Sequence, residues 1–164
     1  MPLQQTFLQA LLIDYARLRK LLSGLSRDLD HWEAADNGPP DRTRVRWLLE
    51  RLRQVDMPHH ICTGHGLFAR IGQRCPPLGP VLARMEQEHV QLEPMYLELV
   101  AALDTAASIA SPDDTGLVEQ VKRFIDVLLG HLGVEENYIL PVANDFLTVQ
   151  DWADMVAGHD QRAA

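Results

Sequence analysis

The residues whose type and spacing could do chemistry stand in HLGVEENYILP, residues 131–141, where His131 and Glu135 are one helical turn apart inside an apolar segment. At about 100° per residue they share a helix face, separated by roughly 40°, whereas Glu136 is turned about 140° from His131. Glu135 is therefore the inward carboxylate, and Glu136 would need a local widening of the helix to join it. An ionised glutamate in a dry core costs several kcal/mol unless it is paired or coordinated. Three environments remove that cost: a metal site, a hydrogen-bonded core pair, or a solvated face.

The choice depends on what positions these residues. DNGPPD (36–41), RCPPLGP (74–80) and IASPDD (109–114) break the chain, the last offering Ser111 or Asp113 as a helix cap. The four segments between them run to about 25 to 30 residues, too long for strands. Apolar residues recur in them at spacings of three and four. This pattern predicts an all-α, up-down-up-down antiparallel four-helix bundle, one domain over residues 1–164. Thr148 and Asp151 read as a capping-box variant opening a short fifth helix, in which Trp152 and Met155 would cap the bundle.

The buried stripes can be written out. The first runs from Leu3 and Phe7 through Leu11, Tyr15 and Leu18 to Leu29; the second takes Val45, Leu48, Leu52, Val55, His59 and Cys62. The third takes Leu82, Met85, His89, Leu92, Tyr96, Leu99 and Leu103, and the fourth Leu117, Val121, Phe124, Leu128, His131, Glu135 and Tyr138. Each has a polar interruption near its middle, so antiparallel rods would bring Tyr15, His59, His89, His131 and Glu135 to one height. Three imidazoles and a carboxylate are a suitable ligand set for Fe, Mn or Zn. Each residue alone has a plainer role: a core histidine, a surface i,i+4 pair, a packed tyrosine. Their coincidence on separate helices favours a polar site in the core. His60 could replace His59 after a small rotation, since Pro58 disturbs the helix beside it. His65 faces elsewhere, His31 and His159 read as surface residues, Cys62 as a small buried hydrophobe, and Cys75 has no evident role.

Bulk properties exclude other classes. A net charge of −8 argues against a nucleic-acid partner or an anionic membrane surface. Two cysteines make no disulfide framework, no basic leader precedes the first apolar run, and that run is cut by Asp14. No apolar stretch approaches membrane-spanning length. A cytoplasmic protein is expected. Without a nucleophile–base pair or a phosphate loop, any catalysis would have to be metal-based.

EHVQLEPMYLEL (88–99) followed by HLGVEENYILPVANDFLTVQDWADM (131–155) resembles the hemerythrin-like HHE cation-binding family, and PHHICTGHGLF (58–68) is similar to its second-helix motif. A faint internal repeat accompanies the likeness. DYARLRKLL parallels EHVQLEPMY, and His59…Leu67-Phe68 parallels His131…Ile139-Leu140. The resemblance implies a four-helix bundle holding a non-haem di-iron centre, with histidines from all four helices and bridging carboxylates from the second and fourth. Carried over, His59 (or His60), His89, His131 and Glu135 (or Glu136) match ligand positions. Tyr15 stands where the family has its first-helix histidine, and Thr63, beside Gly64, where it has its second-helix glutamate.

Loss of that glutamate removes a bridge that two neighbouring cations need, while three histidines and one glutamate suffice for a single ion. Three states stay open: two metals with Tyr15 recruited as a phenolate, one metal, or a hydrogen-bonded relic. The expected role is iron binding, mono- or dinuclear, with Zn or Mn as alternatives, in sensing or handling oxygen, peroxide or another small ligand. The rival from another class is a metal-free helical module working through a partner or homodimer surface. A weak metal-dependent peroxidase is a third.

Overall fold

A computed structural model describes residues 3–33, 41–108 and 115–163. The expected breaks at 36–40 and 109–114, with Ser111 and Asp113, and the side chains of Leu3, Cys62, His65 and His159 lie outside the described residues. Among the described residues the chain is helical throughout, without strands: α1 (Leu3–Glu33), α2 (Arg42–Cys62), α3 (Ala69–Arg74), α4 (Gly79–Ser108), α5 (Thr115–Val134), α6 (Leu140–Phe146) and α7 (Val149–Ala163). A π-helical turn, Thr63–Phe68, carries α2 into α3, and a second, Glu135–Ile139, carries α5 into α6. Four long rods and a short fifth result. α1 packs on α2 and α5, and α4 on α2 and α5, which closes the four rods around one core. No helix among the described residues is long and apolar enough to cross a membrane.

Leucine spacing explains the packing. Phe7, Leu11, Tyr15, Leu18, Leu22, Leu25 and Leu29 are all buried on α1, and Leu82, Met85, Leu92, Tyr96, Leu99 and Leu103 on α4. The stripe expected on the fourth rod holds from Leu117 to Glu135 and then fails: Tyr138 is 54% exposed, and Ile139 is buried instead. The π turn is the reason. It inserts an extra residue into the helix, so the inward position moves from three to four residues after Glu135. The same shift acts beyond α2, where Thr63, Leu67 and Ile71 are buried at successive intervals of four.

The rods are capped by local chemistry. Asp41 Oδ1 accepts from the Arg44 amide at 3.0 Å and starts α2. At the head of α7, Thr148 Oγ1 accepts from the Asp151 amide at 3.2 Å, while Asp151 Oδ2 accepts from the Thr148 amide at 2.9 Å. This is the reciprocal cap expected from the sequence. It sets Trp152, 1% exposed, against Phe7 with ring centroids 5.8 Å apart, and buries Met155. The fifth helix therefore closes one end of the bundle, on α1 and the Thr63–Phe68 turn.

Asp151 also takes Arg74 at 3.0 Å, and the Arg74 guanidinium with the Thr148 hydroxyl and amide holds its carboxyl far below the ordinary aspartate range. A depressed folded pKa stabilises the fold at pH above the unfolded value of about 3.9, and that contribution is lost as pH falls below it. Asp151→Ala should cost about 1 kcal/mol or somewhat more, lowering the thermal midpoint by roughly 2–6 °C at pH 7. The gap from wild type should narrow as pH drops below about 4. Thermal unfolding followed by circular dichroism across that range checks both the size and the pH trend.

Candidate metal centre

Glu135 sits at the mouth of the second π turn, 1% exposed, with an imidazole on each side of its carboxylate. Its Oε2 lies 2.8 Å from His59 Nε2, and its Oε1 lies 3.3 Å from His131 Nε2 and 3.6 Å from His89 Nε2. His89 and His131 face each other through their Nε2 atoms at 2.8 Å. α2, α4 and α5 thus deliver His59, His89, His131 and Glu135 to one level of the core. His60 joins them: its ring stacks on that of His89 with centroids 4.1 Å apart and meets His131 edge-on at 5.3 Å. One ring nitrogen from each of His60, His89 and His131 falls within 4.8 Å of the other two. His59 is set off from that trio and reaches it through Glu135.

The remaining residues picked out from the sequence are placed as follows. Tyr15 is buried and meets the His59 ring edge-on at 4.9 Å. Glu136 follows the widened turn towards α1, where Arg19 Nη2 and Nε donate to it at 2.7 and 3.2 Å. The widening that could have brought it inward is present, but it points this carboxylate at an arginine. Thr63 is fully buried, and its hydroxyl donates back to the carbonyls of His59 and His60 at 3.2 and 3.4 Å. It turns no donor towards the imidazoles.

Two carboxylates went unnoticed in the sequence. Glu88 Oε2 lies 2.9 Å from His131 Nδ1, and Asp56 Oδ1 lies 3.1 Å from His60 Nε2. Asp56 had a readable signal, since it stands one turn before His60 and is buried. Glu88 had none. It is next to His89 yet serves an imidazole on a different rod, a pairing fixed only by how α4 and α5 pack.

Charge decides the proton positions. Burial alone would push the Glu135 carboxyl up, but the neighbouring His131, His59 and His89 imidazoles outweigh it and hold the group well below the usual range. Burial likewise pulls His131 down, yet Glu135 and Glu88 overcome it and raise its pKa. For His89 burial wins, helped by its His60 and His131 neighbours, and its pKa falls. These directions agree with the geometry. His131 donates from Nδ1 to Glu88 and from Nε2 to His89, neutral His89 accepts, and His59 donates to Glu135.

The donor set suits a cation. Nitrogen and carboxylate donors lie close together there, and Glu135 Oε1 is buried without a hydrogen-bond partner of good geometry. Imidazole with carboxylate is the ligand chemistry of Fe, Mn and Zn. Phe68 stacks on the outer face of His89, centroids 5.4 Å apart at 11°, and shields the trio.

Residues 7–143 match the family model of the hemerythrin HHE cation binding domain. Comparison with curated proteins gives no match, and neither does comparison with solved structures.

Gly64 allows α4 to approach the first π turn closely. A Cβ there would lie 3.1 Å from both carboxylate oxygens of Glu86 and 3.3 Å from His89 Nδ1. Glu86 can swing towards solvent, but the His89 ring is held between His60 and Phe68 and must shift a few tenths of an ångström. Gly64→Ala should leave stability within about 1 kcal/mol of wild type, because alanine's helix propensity offsets the crowding. It should displace the imidazole resonances of His89 while sparing those of His59. Nitrogen-15 spectra of the histidine side chains provide the check, and unmoved His89 signals would contradict the predicted crowding.

Proposed function

The chain belongs to the hemerythrin HHE cation-binding domain family, and from that premise we propose that His60, His89, His131 and Glu135 hold a single transition-metal ion. Iron is the first choice, with zinc or manganese as alternatives, and the role is to sense or handle oxygen, peroxide or a similar small ligand. One observation supports this above the others: the His60, His89 and His131 nitrogens cluster within 4.8 Å, with Glu135 Oε1 close to two of them. His59 takes a positioning part. By donating to Oε2 it fixes the carboxylate and leaves Oε1 turned to the trio.

The preference for one ion follows from the anion count. Two dications held a few ångströms apart repel strongly in a low-dielectric core and need bridging anions. Thr63 supplies no carboxylate, Glu136 is committed to Arg19, and Glu88 and Asp56 are engaged with His131 and His60, which leaves Glu135 as the bridging candidate among the described residues. When bound, iron would supply one-electron chemistry and an open coordination position. The protein's own part is orientation and exclusion. Glu88 keeps a proton at His131 Nδ1 and so directs Nε2 inward, Asp56 stands behind His60, and Phe68 keeps bulk water off His89. The free thiol of Cys75 is in keeping with a reducing, cytoplasmic setting.

The second reading is a metal-free bundle acting as an interaction module. The His59–Glu135 hydrogen bond favours it, because that contact stabilises the carboxylate without any ion. Metal analysis separates the two. Protein loaded anaerobically with ferrous iron should retain about one equivalent after desalting. Close to two would establish a dinuclear centre, and a small fraction of one would favour the metal-free module. His60→Ala should lose more metal than His59→Ala, and the reverse order would exchange their roles.

Glu88→Gln should weaken metal retention by roughly 10–100-fold while leaving the unfolding midpoint of the apo-protein within a few degrees of wild type. Competition with a chelator of known affinity measures the first quantity and calorimetry the second. Unchanged retention would remove Glu88 from the site.

A further inference from the structure

The groove between α1 and α2 has none of the cluster residues in its walls. It encloses about 660 Å³, with Leu21, Gly24, Leu48 and Val55 among the residues that form it. Cationic side chains line both sides: Arg17, Lys20 and Arg27 from α1, and Arg44 and Arg51 from α2. Trp47 stands in the wall 51% exposed, with the Arg51 guanidinium 5.7 Å from its ring centroid. Arg44 is tied to Asp28 and Arg17 contacts Asp14, but Lys20 and Arg27 have no ion-pair partner among the described residues. A chain of net charge −8 has gathered five cations around one apolar trough.

We infer that this groove receives an acidic amphipathic helix from a partner protein. Helical spacing arranges the trough for that purpose. Arg17, Lys20, Gly24 and Arg27 recur at three and four along α1, as do Arg44, Leu48 and Arg51 along α2. The two rods therefore offer parallel rows of positive charge over an apolar strip about 15 Å long, or roughly three turns of a docked helix. An incoming helix would bury leucines at i, i+4 and i+7 in the strip and set carboxylates against both rims. Trp and Arg are the residues that most often carry binding energy at such contacts. The negative surface elsewhere repels an acidic partner and so confines docking to this face.

The probe is a fluorescein-labelled 15-residue peptide with leucine at helical spacing and glutamate at the other positions. Its anisotropy with the full chain should saturate at 50 mM salt and the affinity should fall at least tenfold by 300 mM. Lys20→Glu with Arg51→Glu should weaken binding more than tenfold, and Trp47→Ala several-fold, with circular dichroism and metal retention unchanged. Lys20→Gln with Arg51→Gln, which cannot create new repulsion, should give an intermediate loss. A scrambled peptide of equal composition should bind at least fivefold more weakly.

Equal binding of the scrambled peptide, or no effect of the charge variants, would overturn the inference. So would a thymidine 15-mer binding as tightly, which would make the groove a generic polyanion site. Self-association of the chain that disappears in the same variants would show a second copy as the occupant, and would likewise overturn it.

Discussion

An ionised carboxylate inside a leucine core is the constraint on which the rest of this protein depends. Glu135 is 1% exposed, and a charge there is tolerable only because imidazoles from three rods converge on it. His59 holds one oxygen, while His131 and His89 crowd the other. Each of those histidines is in turn held by its own rod, so α2, α4 and α5 cannot slide along one another without separating the carboxylate from its partners. The polar layer fixes the register of the bundle, and the leucines above and below it supply the driving force.

The two π turns are the backbone counterpart of that layer. Thr63 and Glu135 each stand four residues after a core histidine, and each opens a widened turn that ends beside a buried apolar residue. The internal repeat between His59…Leu67-Phe68 and His131…Ile139-Leu140 is therefore a repeat of backbone geometry as well as of residues. The widened turns let a polar residue occupy the core height without displacing the apolar residues that follow. In the second rod that residue is threonine, bonded to its own backbone, and the layer is lopsided towards the fourth rod.

Much of this was legible in the sequence because it is written in periodicity. Leucines at three and four define the rods, Gly and Pro clusters separate them, and Thr148 with Asp151 announces the last helix. The convergence of His59, His89, His131 and Glu135 follows from their common height in antiparallel rods of similar length. Periodicity could not reveal what depends on rotation or on contacts between rods. An extra residue per turn exposes Tyr138 and buries Ile139, and no local propensity marks it. The choice between His59 and His60 turns on a rotation of α2, which set His60 against His89 and His131. Glu88 reaches His131 only across a helix interface, and Arg19 claims Glu136 in the same way.

The last helix has a consequence of its own. A widened turn is strained relative to regular helix and persists only where its surroundings enforce it. α7 rests on the Thr63–Phe68 turn, anchored by Trp152 on Phe7 and by Arg74 on Asp151. It lies beyond residue 143, where the family match ends. This segment therefore packs the first widened turn from outside, on the side where Leu67 and Phe68 are buried.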